Sequence, residues 1–125
     1  MSERTVVIPG TPDAGLSPNA RGRDWRKKAK LIQQARYLAR MAALEQYGRV
    51  KPLRAPVILH AVIAWESRRK FMDVTNAIAS MKSFEDGLVD SGIMSDDRGV
   101  LGWTIEQVRD PEKRGWTRIT IREAA

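Results

Sequence analysis

Val57-Ile58-Leu59-His60-Ala61-Val62-Ile63-Ala64-Trp65 is apolar at both of its alternating sets of positions. A half-exposed strand would alternate with polar residues, so this run reads as a central strand covered on both sides. Its lone polar residue, His60, reads as a core or edge residue and not as a ligand. Upstream, Leu31, Ala35, Leu38 and Ala42 repeat at three- and four-residue spacing, which predicts a helix from Asp24 to Tyr47 stopped by Gly48. Before that helix, Thr5-Val6-Val7-Ile8-Pro9 reads as a short strand, and residues 11–23 as an irregular loop.

Downstream, a second helix is expected from near Asp73 to the residue before Gly92. Val74, Ala77, Ile78, Met81, Phe84 and Leu88 would form its buried stripe. Gly99 to Val108 and Trp116 to Arg122 read as two strands joined as a hairpin by Asp110-Pro111-Glu112-Lys113-Arg114-Gly115. In the last strand Thr117, Ile119 and Ile121 should face inward and Trp116, Arg118, Thr120 and Arg122 outward. Residues 1–125 thus make a single domain of the α/β or α+β class, with one mixed or antiparallel sheet and two main helices.

Composition narrows the chemistry. The chain has no Cys and one His, which excludes disulfides, thiolate zinc sites and cysteine nucleophiles. No apolar run approaches the roughly 20 residues of a membrane span, and the N-terminus does not read as a secretory signal. Lys and Arg number 22 against 15 Asp and Glu, a net charge of +7 that favours a polyanionic partner, most simply nucleic acid. The excess is concentrated between Arg21 and Arg54, where only Asp24 and Glu45 are acidic. Arg21, Arg23, Arg26, Lys27, Arg36 and Arg40 are the expected phosphate contacts there, joined by Arg68, Arg69 and Lys70. Trp25 and Tyr37 interleave with these bases and are able to stack on an unpaired base. Taken singly, each reads more naturally as a core aromatic. Trp65, Trp103 and Trp116 read as core or interface residues.

Against this background Asp73, Asp86, Asp96 and Asp97 stand out, with Lys82 one helical turn before Asp86. A strand end, a helix flank and the start of the next strand are able to converge in a compact domain. Carboxylates without His or Cys are hard oxygen donors suited to Mg²⁺ or Mn²⁺. Each residue also has a plainer reading: Asp73 as a helix N-cap, Lys82 and Asp86 as a surface ion pair, Asp96-Asp97 as turn residues.

The ordered set Asp73-x-x-Asn76, Lys82-x-x-x-Asp86-Gly87-Leu88, Gly92-Ile93 and Asp96-Asp97 resembles the RusA family of Holliday junction resolvases. Ser17-Pro18-Asn19-Ala20-Arg21 is similar to the loop that opens that family. The resemblance implies a small homodimeric endonuclease, often phage- or prophage-encoded, that nicks paired strands of four-way DNA junctions. It implies Mg²⁺ as cofactor, with Mn²⁺ as a substitute, and a place in the bacterial cytoplasm beside the nucleoid. Carried over by position, Asp73, Lys82 and Asp97 are catalytic, with Asp73, Asp97, Asp96 and Asp86 toward the metal. Thr75 stands where the family has a second acid, and the stretch from Asn76 to Lys82 is longer than in the best-known member. The alternative is therefore a nucleic-acid-binding module that has lost catalysis. A basic structural protein of a phage or ribonucleoprotein particle would leave the acids without a joint role.

Overall fold

In the computed structural model, the described residues are 2–16, 25–66 and 70–124, with Ala14 and Asp97 described by their backbone alone. Strand β1 (Glu3–Ile8) leads through a 3-10 turn at Ala14–Leu16 to helix α1 (Trp25–Tyr47). Strand β2 (Val57–Trp65) follows, then helices α2 (Val74–Ser80) and α3 (Lys82–Ser91). A 3-10 turn at Asp97–Gly99 opens strand β3 (Val100–Arg109), and β4 (Trp116–Glu123) ends the chain. The four strands form one mixed sheet in the order β1-β4-β2-β3, giving an α+β fold. Gly48 (φ 67°) and Gly92 (φ 84°) end α1 and α3 in the left-handed region, the conformation that stops a helix most cheaply.

The most apolar strand takes the centre of the sheet. β2 runs parallel to β3 on one side and antiparallel to β4 on the other. Leu59, Ala61, Ile63 and Trp65 of β2 meet Ile119 and Ile121 of β4 and Val6 and Ile8 of β1, all fully buried beneath the helices. The alternation expected of the last strand is found: Thr117, Ile119 and Ile121 are inside.

Three expectations need correction. β2 is central, but the helices cover only one face of the sheet. On the other face His60 is half-exposed and bonds Thr104, beside Thr120 and Arg122. Val62 and Ala64 on that face are covered by their strand neighbours, being paired with Arg118 and Trp116 of β4.

β3 and β4 do not form a hairpin, because β2 lies between them. The connection crosses the end of β2, where Asp110 N–H donates to the Trp65 carbonyl at 2.8 Å. The Asp110 carboxylate folds the loop by accepting the backbone N–H groups of Glu112 (3.0 Å), Arg114 (2.9 Å) and Gly115 (3.0 Å). These bonds, the Glu112 N–H first, hold its carboxyl below the usual range.

The second helix is broken at Met81, whose N–H bonds Ile78 by a three-residue step. The helix is interrupted there, and the stripe does not run straight through. Ala77, Met81, Phe84 and Leu88 are buried, whereas Val74 and Ile78 face solvent. α3 then crosses α1 closely at Gly87, where an added Cβ would lie 2.2 Å from the Arg36 carbonyl oxygen and 2.8 Å from the Ala39 Cβ. The Gly-Leu pair of the motif therefore has a packing reason: the glycine admits α1, and Leu88 fills the core.

Candidate active site and nucleic-acid face

Asp73 occupies the N-cap position of α2, with extended backbone (φ −55°, ψ 138°), but its side chain makes no capping hydrogen bond. Asp73 is exposed, and Thr75 beside it is exposed too. Gln107 anchors this segment to β3: its Oε1 accepts the Met72 N–H (2.8 Å) and its Nε2 donates to the Met72 carbonyl (2.7 Å).

Lys82 opens α3 and donates to two carboxylates, Glu85 Oε2 at 3.2 Å and Asp86 Oδ1 at 3.1 Å. Glu85 is buried, and its second oxygen accepts the Trp103 indole N–H at 3.0 Å. Sequence reasoning missed Glu85. Yet it lies four residues after Met81 and three before Leu88, on the apolar stripe, where a carboxylate must be paired to be tolerated.

Asp96 stands in the turn before β3 and behaves as the turn residue it resembles. Its Oδ1 accepts the Arg98 N–H at 2.9 Å, and its Oδ2 pairs with the Arg98 guanidinium at 3.1 Å. Asp97 begins the adjoining 3-10 turn, and its side chain lies outside the described residues.

The expected convergence is not found within one chain. Asp73 follows Met72 at the Gln107 end of β3, whereas Asp96 and Asp97 precede Val100 at the other end. Seven residues of strand at about 3.3 Å each separate these ends, roughly 23 Å. Among the described residues no group of three or more His, Asp or Glu side chains is close enough to hold a metal ion. The donor chemistry suits Mg²⁺, but the placement of Asp73 and Asp96 in one chain does not fit a single ion.

The basic helix differs from expectation in its aromatics. Trp25 is 73% exposed and Tyr37 61%, so neither is a core residue. The buried residues of α1 are Ala39, Ala42 and Ala43, with Ala35, Leu38 and Tyr47 packed partly against the core, and Trp25 and Tyr37 lie off that face. Arg26 lies 5.5 Å from the Trp25 ring centroid, and Arg26, Lys27, Lys30 and Arg40 are exposed along the same helix. Arg36 is committed elsewhere: its guanidinium grips Asp90 of α3, with Nη2 to Oδ1 at 2.8 Å. That contact raises the Arg36 pKa and holds the Asp90 carboxyl below its ordinary value. Lys70 is exposed; Arg21, Arg23, Arg68 and Arg69 lie outside the described residues. Trp65 is buried and Trp103 partly so, while Trp116 sits on the open sheet face under Arg118, 5.7 Å from its ring.

No family model matches this chain, and no curated protein matches it. No helix among the described residues is long and apolar enough to cross a membrane.

Proposed function

We propose that the protein is a Mg²⁺-dependent endonuclease, with Mn²⁺ as a substitute, that acts as a homodimer on branched DNA and resolves four-way junctions by paired nicks. The observation that carries this reading is the exposed face of α1. Arg26, Lys27, Lys30 and Arg40 are exposed there with a single acid, Glu45, on the helix, and two large aromatics, Trp25 and Tyr37, stand out among them. Such a face supplies salt-sensitive phosphate affinity with stacking platforms for bases that a junction leaves unpaired. Phosphate contacts of this kind fix position without reading sequence, so preference for a junction comes from its shape. Lys82, which pairs with Glu85 and Asp86 on α3, would in this reading offer a cation to a phosphate oxygen. Asp73, free of any capping bond, remains available as a ligand. The cell compartment that goes with this reading is the bacterial cytoplasm, at the nucleoid.

A second reading, a junction-binding module without catalysis, is favoured by one specific feature. Thr75, at the family's second acidic position, is exposed and brings no charge. Cleavage of an end-labelled four-way junction beside the matching linear duplex, with Mg²⁺, Mn²⁺ or EDTA, separates the two. Symmetric metal-dependent nicks in the junction alone support the endonuclease. Tight binding without nicks under either metal leaves the module.

A further inference from the structure

Val7 and Pro9, at the end of β1, line two clefts at once. One lies on the flank of α1, against Leu38, Met41 and Gln46; the other opens beside Trp116 and Arg118 on the open sheet face. The second has a volume of about 650 Å³, within the roughly 300–1,000 Å³ of ligand pockets. Because the two share a wall, they make one groove that turns round the β1 edge from the helix layer to the open face. We infer that this groove holds an unpaired stretch of a DNA strand, with Tyr37 of α1 and Trp116 of β4 as its stacking platforms.

The edge itself argues against an added β-strand as occupant. Gln46 accepts the Val7 N–H at 2.9 Å and donates to the Val7 carbonyl at 2.6 Å, and the Tyr47 hydroxyl accepts the Thr5 N–H at 2.9 Å. The backbone groups that another strand would pair with are thus taken, and the groove offers side chains instead. Those side chains suit a single strand. Lys27, Lys30, Gln34, Tyr37 and Met41 are all exposed, and their three- and four-residue spacing sets them along one side of α1. Met41 carries that stripe into the groove. At the far end Arg118 lies 5.7 Å from the centroid of the Trp116 ring, and Arg114 stands on the rim. The exposed acids on this path are Glu45 and Glu112, the latter paired with Arg114 at 3.5 Å. Four cations therefore outnumber two acids, which favours phosphate, while the apolar walls between them favour bases.

The open-face cleft is also built in advance. The Asp110 carboxylate fixes the loop on one side through three N–H groups. On the other side the Thr117 hydroxyl donates to the Gly10 carbonyl at 2.7 Å, fastening β4 to the turn after β1. A wall held from both sides loses little freedom when the groove fills.

The inference rests on the nucleic-acid part of the reading above and not on cleavage, so it is tested in EDTA. Binding of a labelled oligothymidylate is followed by fluorescence anisotropy beside a duplex of equal length. Trp116→Leu and Tyr37→Leu keep an apolar side chain and remove a ring, and each should weaken single-strand binding roughly tenfold. Arg118→Gln should weaken it more than Lys51→Gln, which removes one charge near Ser2 and Glu123, at the opposite ends of β1 and β4. Irradiation of the wild type with a bromouracil oligonucleotide should cross-link peptides holding Tyr37 and Trp116, a result that stands even where Trp116→Leu does not fold. Single-strand binding that the variants leave intact, cross-links confined to other peptides, or a wild type that holds only the duplex would overturn the groove and leave α1 as the nucleic-acid face. A wild type that binds neither form would overturn the groove together with the nucleic-acid reading. Binding along the groove by a protein that never nicks a junction keeps the groove and removes only the endonuclease.

Discussion

The Trp103 indole N–H and the Lys82 ammonium share the carboxylate of Glu85, one on each oxygen, at 3.0 and 3.2 Å. β3 is thereby tied to the start of α3, and Lys82 is aimed by a group that is itself buried. Glu85→Ala strands the indole N–H and should cost about 2 kcal/mol in urea unfolding. Glu85→Gln keeps an acceptor for Trp103 and loses only the half-exposed ion pair, a cost under about 1 kcal/mol. Equal losses in the two variants would contradict this division of labour.

Gly87 is required by helix packing, with the Arg36 carbonyl 2.2 Å from where a Cβ would stand. Gly87→Ala would normally help a helix. Here it must push α1 away, and a loss of about 1–3 kcal/mol is expected from thermal or urea unfolding. A neutral or stabilising effect would show that the two helices do not cross as closely as described.

Asp90 and Asp110 both have folded-state pKa values below the ordinary 3.8, held by the Arg36 guanidinium and by loop N–H groups respectively. A depressed carboxyl stabilises the fold fully above its unfolded pKa and loses that contribution as pH falls through the folded value. The melting temperature should therefore decline below about pH 4. Asp110→Asn should melt lower at neutral pH and lose less on acidification. Parallel pH profiles for wild type and variant would remove Asp110 from this role.

The basic residues of α1 divide into two kinds. Lys27 and Arg40 are exposed, so their Ala variants should weaken junction binding and lower the slope of log K against log salt by about 1 each. Arg36 is held by Asp90, so Arg36→Ala should lower the melting temperature and change that slope less. Fluorescence anisotropy across a salt series, beside a melting curve, checks both. A full slope change for Arg36→Ala would mean that it leaves Asp90 for phosphate.

Periodicity made α1, β2 and the inward set of β4 legible, because each carries a pattern that survives in isolation. Strand order was not legible. Nothing local in Asp110-Pro111-Glu112-Lys113-Arg114-Gly115 distinguishes a hairpin from a connection across β2, since Asp110 folds either loop with the same backbone bonds. The break at Met81 was hidden for a similar reason: residues 74–91 keep helical spacing across the interruption. Trp25 and Tyr37 were misplaced because aromatic residues are usually inside, and only the structure shows that the core-facing side of α1 runs through Leu38, Ala39, Ala42 and Ala43 instead. Of the acids, order along the chain was readable, but their separation along β3 depends on β2 and β3 being parallel, which is a property of the whole sheet.

One cleavage experiment reaches the central claim, that the chain is a metal-dependent nuclease of branched DNA. An end-labelled four-way junction and the matching linear duplex are incubated with the wild type or with Asp73→Asn, in Mg²⁺ or in EDTA. The wild type should nick the junction alone and only with Mg²⁺, and Asp73→Asn should not nick it. A wild type that binds the junction but never nicks it, or an Asp73→Asn variant that nicks as well as the wild type, would contradict the account.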